Sequence, residues 1–433
     1  MIKRLLYLLT LSTLSLAFIP RERIILNTLP NGLRIILLPR NELKLVSIQL
    51  WMKIGSINDG DKPGLMHLVE HMLFNGSSKY PPGKIDETIE EMGGKISAET
   101  GQDFTYFSVD ITPEFLPQAI DILSDLVQHP LFPEEELDRE KRVVIAEIKG
   151  ASNPFQEAAW RLTHLLFNNH PYGNPIPGSE ETVKRITRED ILSAWQLYYH
   201  PDKASLIVVG EFDPQNVIAE VEKAFGSWHN ASLPTEPIQE EPTLKRILRA
   251  SFPLKVNPSS NEVGARSYIA LGFPAPGIDD IKGVIALDLL NQLIENGQLF
   301  ENLKENGLVS EIRSFFLTQK HPSVFIIYAS TWKDAIDEVE KEILAQLLQT
   351  IKSLDNDKLT KLKKSLLFSF YCSCETYSAQ AHMLGFYESL ADFSIACDYP
   401  GLIEAISLDE VKEKLAQFIR QDAYCLVSLI PPK

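Results

Sequence analysis

Residues 229–262 divide the chain into two halves that read alike, and this division limits the fold more than any other feature. The stretch HNASLPTEPIQEEPTLK is rich in proline and acid and poor in apolar residues, which is the composition of a linker. On its amino-terminal side strands and helices alternate. LRIILL (33–38) and VSIQLWMK (46–53) predict strands. PGLMHLVEHMLF has apolar residues at helical spacing behind a proline, and residues 84–92 predict a second helix ended by Gly93-Gly94. KISAE and DFTYFSVDI then alternate as strands. Further helices are expected from Pro113 to about Gln128, from Pro133 onward with acids in the first turn, and at about 154–167 and 187–199; SLIVVG (205–210) is a buried strand. On the carboxyl-terminal side the order recurs: RSYIALGF a strand, IKGVIALDLLNQLI a helix, SVFIIYAS a strand, helices at about 333–353 and 356–371, and CLVSLI a strand. The repeat lies in element order and not in letters. At 433 residues the chain exceeds what one core usually supports. The expected fold is α+β, with two homologous domains at 20–228 and 263–433, each a mainly antiparallel sheet packed against helices.

The first 19 residues differ in kind. MIKR is followed by an uncharged apolar run and by Ser15-Leu16-Ala17, a small-x-small site, which together have the anatomy of an export signal. The run of about 15 apolar residues is short for a spanning helix, which needs roughly 20. The reading is an exported, periplasmic protein, with an uncleaved inner-membrane anchor as the alternative. Four cysteines, Cys372, Cys374, Cys397 and Cys425, have no zinc-finger spacing and read as buried or loosely paired thiols. A formal net charge of −16 with no basic stripe excludes a nucleic-acid partner. Plain solubility explains that charge; a second reading is an acidic chamber that draws in basic peptides.

The chemistry sits in HLVEH. At 100° per residue His67 and His71 are about 40° apart on the helix surface and one turn apart in height, so both imidazoles can reach one point. Two histidines and Glu70 turned toward Leu65, Leu68 and Met72 would be costly without a shared partner. A catalytic zinc site takes three protein ligands. The glutamate between the histidines is too near in sequence to complete a tetrahedron and is placed to accept a proton from water instead. This is the inverted zincin motif. The third ligand should be a carboxylate from another helix. LDREKRVVIAEIKG offers Glu140 and Glu147, two helical turns apart on one face, one to bind metal and the other to orient a histidine or hold the ligand helix. A solvated acidic face is the bland alternative, which Glu147, between Ala146 and Ile148, fits less well.

With these residues the chain resembles the pitrilysin-type inverted-motif zinc metallopeptidases, most closely the mitochondrial-processing-peptidase-like branch. HMLFNGSSKYP, GGKISAETGQDFTYFSVDI, HPLFPEEELDREKRVVIAEI and HPYGNPIPGSEETVKRIT match that branch in order and spacing, and 75 residues lie between His71 and Glu147. The resemblance is strong over about 25–230 and weak over 265–433. It implies one zinc per chain held by His67, His71 and Glu147, with Glu70 as general base and Glu140 as supporting carboxylate. It implies a clam-shell of such domains around a chamber, with unfolded peptides or small proteins as substrates. A substrate should lie extended along the edge strand near 95–100, beside Ser97, Ala98 and Glu99, and pair through its backbone.

Two departures stand out. The branch often has Asn-Ala where this chain has Ser97-Ala98, which removes one side-chain hydrogen bond to substrate. In GQLFENLKENGLVSEI, Gln298 and Ser310 stand where the resemblance implies an Arg and a Tyr that bind substrate and stabilise the oxyanion. Losing an oxyanion donor costs on the order of 10²–10³ in rate. Three readings stay open: a paralogous subunit supplies the pair, making this the metal-bearing half of a heterodimer (or a homodimer compensates); the chain works alone with other donors such as Arg313 or Tyr328; or it is a weakly active relative kept for a structural role. A different class, a non-catalytic exported assembly or binding subunit of the same fold, would need no metal.

Overall fold

The computed structural model describes residues 18–150, 153–168, 170–229, 244–254, 266–297 and 299–432. Residues 1–17 of the expected leader, much of the expected linker, and Gln298 lie outside them.

Two sheets carry the fold. The first contains β1 (Ile25–Thr28), β2 (Arg34–Pro39), β3 (Val46–Met52), β4 (Lys95–Thr100), β5 (Thr105–Ile111) and β6 (Ala204–Gly210), in the order β1-β2-β6-β3-β5-β4. Only β2 and β6 run parallel. The second contains β7 (Leu248–Pro253), β8 (Arg266–Ala275), β9 (Val309–Phe316), β10 (Ser323–Trp332) and β11 (Cys425–Ile430), in the order β7-β11-β8-β10-β9, with only β7 and β11 parallel. Mainly antiparallel sheets packed against helices are what the sequence predicts. One difference is β7, which forms inside the segment whose composition reads as linker. Its residues alternate between half-buried and exposed and it borders a single strand, β11, so its apolar signal is too thin to stand out.

The helices are α1 (Leu65–Leu73), α2 (Lys84–Glu91), α3 (Leu116–Gln128), α4 (Glu134–Gly150), α5 (Pro154–Leu166), α6 (Glu180–Arg185), α7 (Arg188–Tyr198) and α8 (Pro214–Phe225), then α9 (Ile281–Glu295), α10 (Glu301–Glu305), α11 (Ile336–Ser353), α12 (Asn356–Cys372), α13 (Tyr377–Leu390), α14 (Ser394–Ala405) and α15 (Leu408–Phe418). The described residues form two compact units. One draws on the described residues of 18–149, 175–229 and 369–399, the other on those of 150–174, 244–368 and 400–432. Each unit therefore contains one whole helix from the other half of the sequence: α13 packs on β3 and β6 of the first sheet, and α5 packs on β8 and β11 of the second.

Strand alternation explains how the first sheet is covered. Ile35, Leu37, Ile48, Leu50, Leu206 and Val208 point to one face and pack with Leu68, Val69, Met72 and Leu123 from α1 and α3. Gln49 and Trp51, on the opposite face, meet α13, where Gln49 donates to the Ser378 carbonyl. The result fixes α1 between the apolar core and the edge of the sheet, where β4 has a neighbour on one side only among the described residues.

Candidate metal centre

Helix α1 begins at Gly64, whose φ of +96° is open to glycine at little cost. The Asp59 carboxylate accepts from the Gly64 and Met66 amides at 2.8 Å each, satisfying donors that a helix start leaves unpaired. Burial pushes the Asp59 carboxyl up to about 7, against those two amides, which favour its charged form. Leu65, Met66, Leu68, Val69, Met72 and Leu73 are buried, which leaves the remaining stripe of α1 to His67, Glu70 and His71.

The structure brings His67, His71 and Glu147 together from two helices. Their ligand atoms lie within 4.8 Å of one another. His71 Nε2 is 3.6 Å and His67 Nε2 3.9 Å from the Glu147 carboxylate, and the two rings are 4.7 Å apart. Ligands about 2.0–2.1 Å from a tetrahedral zinc stand about 3.4 Å from each other. The set is thus nearly closed, and the Glu147 side chain, 47 % exposed, is free to close the rest. Burial and the neighbouring His71 hold His67 down at about 4, so it is a neutral imidazole with a lone pair to give. The donor set, two imidazoles and one carboxylate, fits a catalytic zinc.

Glu140, one face with Glu147 but two turns earlier, does not reach the same point. Its Oε2 accepts from His71 Nδ1 at 3.2 Å, which fixes the tautomer that leaves Nε2 available. Its other oxygen faces Arg139 at 3.5 Å. His67 Nδ1 is buried and has no such partner among the described residues. The Asn75 amide donates to the His71 carbonyl and secures the last turn of α1.

Glu70 reaches β4 with one carboxylate oxygen and stands within electrostatic reach of His71 and Glu147. It is 8 % exposed and accepts from the Thr100 hydroxyl at 2.6 Å. Burial pushes its carboxyl up, opposed by that hydrogen bond. No local sequence signal marks Thr100: it stands thirty residues from Glu70 and meets it only because β4 is the strand against which α1 packs. Asp59 carries no signal either, since it precedes α1 by a turn rather than standing at the cap position. Ser97 and Glu99 are exposed on one face of β4, and Ala98 is half-buried on the other.

Elsewhere, Ser310 is exposed at the start of β9. Arg313 and Tyr328 are register partners across β9 and β10. Arg313 is paired with Glu311 at 2.6 Å, and the half-buried Tyr328 ring stands edge-on to Phe155 at 5.9 Å. The four cysteines are free thiols.

Comparison with known proteins places these features in context. Residues 35–180 match the family model described as insulinase (peptidase family M16), and residues 185–366 match the model described as the peptidase M16 inactive domain. An "Uncharacterized zinc protease" of Bacillus subtilis is 26% identical over 422 residues, covering 93% of this chain and 97% of its own. An Arabidopsis thaliana protein named "Probable mitochondrial-processing peptidase subunit beta, mitochondrial" is 24% identical over 385 residues, covering 84% and 70%. The solved structure of a protease from Helicobacter pylori superposes with a TM-score of 0.87 at 24% identity, over 94% of this chain and 99% of that one.

Proposed function

The chain belongs to the insulinase family, peptidase family M16, and on that premise we propose that it is a zinc-dependent endopeptidase acting on unfolded peptides or small proteins. One observation carries the reading: His67, His71 and Glu147 converge from two helices while Glu140 holds His71 in the ligating tautomer. When bound there, zinc supplies a Lewis acid and brings a water molecule's pKa near neutrality. The rest belongs to the chain. Glu70, oriented by the Thr100 hydroxyl, takes the proton from the attacking water and passes it to the departing amine. A substrate bound as an added strand would use the unpaired side of β4, so its backbone would be read more than its side chains.

We further propose that this is the metal-bearing member of a two-subunit enzyme in the exported compartment. Ser310 has no basic or phenolic group to offer, Arg313 is engaged by Glu311, and Tyr328 is packed under Phe155. A relative named as a beta subunit supports a paired arrangement. Export rests on the amino-terminal sequence; no described helix is long and apolar enough to cross a membrane.

Metal analysis and peptide hydrolysis test both parts. The purified protein should hold about one zinc per chain, Glu147→Gln should lose it, and a chelator should abolish hydrolysis. A zinc content far below one, or hydrolysis indifferent to chelation, would favour the non-catalytic assembly reading. Mixing with a paralogous subunit should raise the rate many-fold; full activity without it would refute the two-subunit arrangement.

A further inference from the structure

The next inference rests on the peptidase reading and concerns which side chains its substrates carry. Strand alternation divides β4. Ile96, Ala98 and Thr100 point toward the core and Glu70, whereas Lys95, Ser97 and Glu99 share the other face with Asp110, Ser108 and Tyr106, their register partners on β5. On that second face α13 lies over β3 and β6 and contributes His382 and Phe386. The rings form a continuous floor. Trp51 stacks on Tyr106 at 4.4 Å and 12°. His382 stands edge-on to both, at 5.1 and 5.2 Å. Phe386 meets Phe104 at 5.9 Å. Trp51 and Phe104 are buried beneath, and Tyr106, His382 and Phe386 remain half-open.

Glu99 stands at the rim of this floor. The Tyr106 hydroxyl donates to its carboxylate at 3.2 Å. Among the described residues no lysine or arginine pairs with it, although Lys95, four residues away on the same face of the strand, is opposite Asp110. Burial holds His382 below its ordinary value, opposed by the neighbouring Glu99 carboxylate. An exposed carboxylate lacking a counter-ion, next to open aromatic faces, suits a cation on a long aliphatic stem. The charge meets the carboxylate and the ring quadrupoles, and the stem covers apolar surface. An added strand on β4 would place every second side chain on this face, one of them opposite Glu99.

We propose that Glu99, with the rings of Tyr106, His382 and Phe386, forms a subsite for a lysine or arginine side chain of a peptide bound along β4. A neutral aromatic side chain could stack on the same rings but would leave Glu99 unpaired. The formal net charge of −16 raises the local concentration of such basic peptides.

The test compares short unstructured peptides that differ at one position, lysine against glutamine against glutamate, with cleavage sites mapped by mass spectrometry. At the position that faces Glu99, kcat/KM for the lysine peptide should exceed that for the glutamine peptide about tenfold. The ratio should fall toward one in Glu99→Gln and favour the glutamate peptide in Glu99→Lys. A wild-type ratio near one at every position, or a ratio that survives Glu99→Gln, would overturn the subsite. Being a ratio, it is unaffected by an overall loss of activity. If no peptide is cleaved, the hydrolase reading fails, and the subsite is then decided by affinities of the same peptides for zinc-loaded Glu70→Gln protein. Equal or absent binding of the lysine and glutamine forms would sink it.

Discussion

The two sheets share a plan and differ in what fills one seam. The runs β2-β6-β3-β5-β4 and β7-β11-β8-β10-β9 have the same single parallel pair followed by the same antiparallel neighbours. Each run inserts helices before its edge strand: α1 and α2 before β4, α9 and α10 before β9. In the first seam Glu70 of α1 meets Thr100 of β4. In the second, the Ser314 amide of β9 donates to Glu295 of α9, and its hydroxyl to Asn291, each at 2.7 Å. The following helices diverge in the same sense. α4 carries Glu140 and Glu147, whereas α12, its counterpart in order, carries Lys361, Lys363 and Lys364. One copy of the scaffold thus forms with ordinary hydrogen bonds in the place where the other holds a candidate metal centre. Function here lives in side chains set on a fold that does not require them.

The largest effect that could break this comparison is a matched pair of glutamate substitutions. Glu70→Gln should lower kcat by about 10²–10⁴-fold while zinc stays bound, because the proposed base is lost and the proposed ligands are not. Glu295→Gln, in the equivalent seam, should cost under about 0.5 kcal/mol of stability and leave hydrolysis near wild type, since Glu295 is exposed and accepts from backbone and hydroxyl only. Steady-state hydrolysis with parallel metal analysis decides it; equal losses in both variants would mean that the seams are not functionally distinct. A smaller effect sharpens the same contrast. Glu140→Gln should weaken zinc binding about 10–100-fold, with a lesser change in rate once the site is saturated. Competition titration against a chromophoric chelator reads it, and an unchanged affinity would remove Glu140 from the centre.

Much of this was legible in the sequence because periodicity and spacing are local. Buried strands such as SLIVVG and CLVSLI and the amphipathic α1 announce themselves. The i, i+4 histidines and the i, i+7 glutamates fix which side chains share a face. Contacts set by tertiary packing left no such trace. Thr100 reaches Glu70 only across the seam between α1 and β4, Asp59 caps α1 from five and seven residues upstream of the amides it accepts, and Tyr106 meets His382 only because α13 folds onto the first sheet. The exchange of α5 and α13 was equally silent. Both have ordinary helical patterns, and an amphipathic pattern says that a helix has an apolar face without saying which sheet covers it.

Two glycines at those exchanged helices give the finest test, because they sit on opposite sides of equivalent contacts. At Gly385, in α13, an added Cβ would stand 2.1 Å from Trp51 Nε1 and 2.2 Å from Trp51 Cε2. Trp51 cannot yield: it is fully buried, stacks on Tyr106, and donates Nε1–H to Gln49 at 2.9 Å. At Gly272, in β8, the Cβ would meet Leu162 Cδ2 of α5 at 2.4 Å and Cδ1 at 2.9 Å. Those atoms are the end of a flexible side chain that can turn aside. Gly385→Ala should therefore destabilise by about 1–3 kcal/mol, even after the roughly 1 kcal/mol that alanine gains over glycine in a helix. Gly272→Ala should cost about 1 kcal/mol or less. Denaturant melts followed by tryptophan fluorescence measure both. Replacing Trp51 by leucine in the Gly385→Ala background should recover part of the loss, which a double-mutant cycle separates from the cost of losing the ring itself. Equal costs at the two glycines would show that rigidity of the facing side chain does not set the tolerance of these helix–sheet contacts.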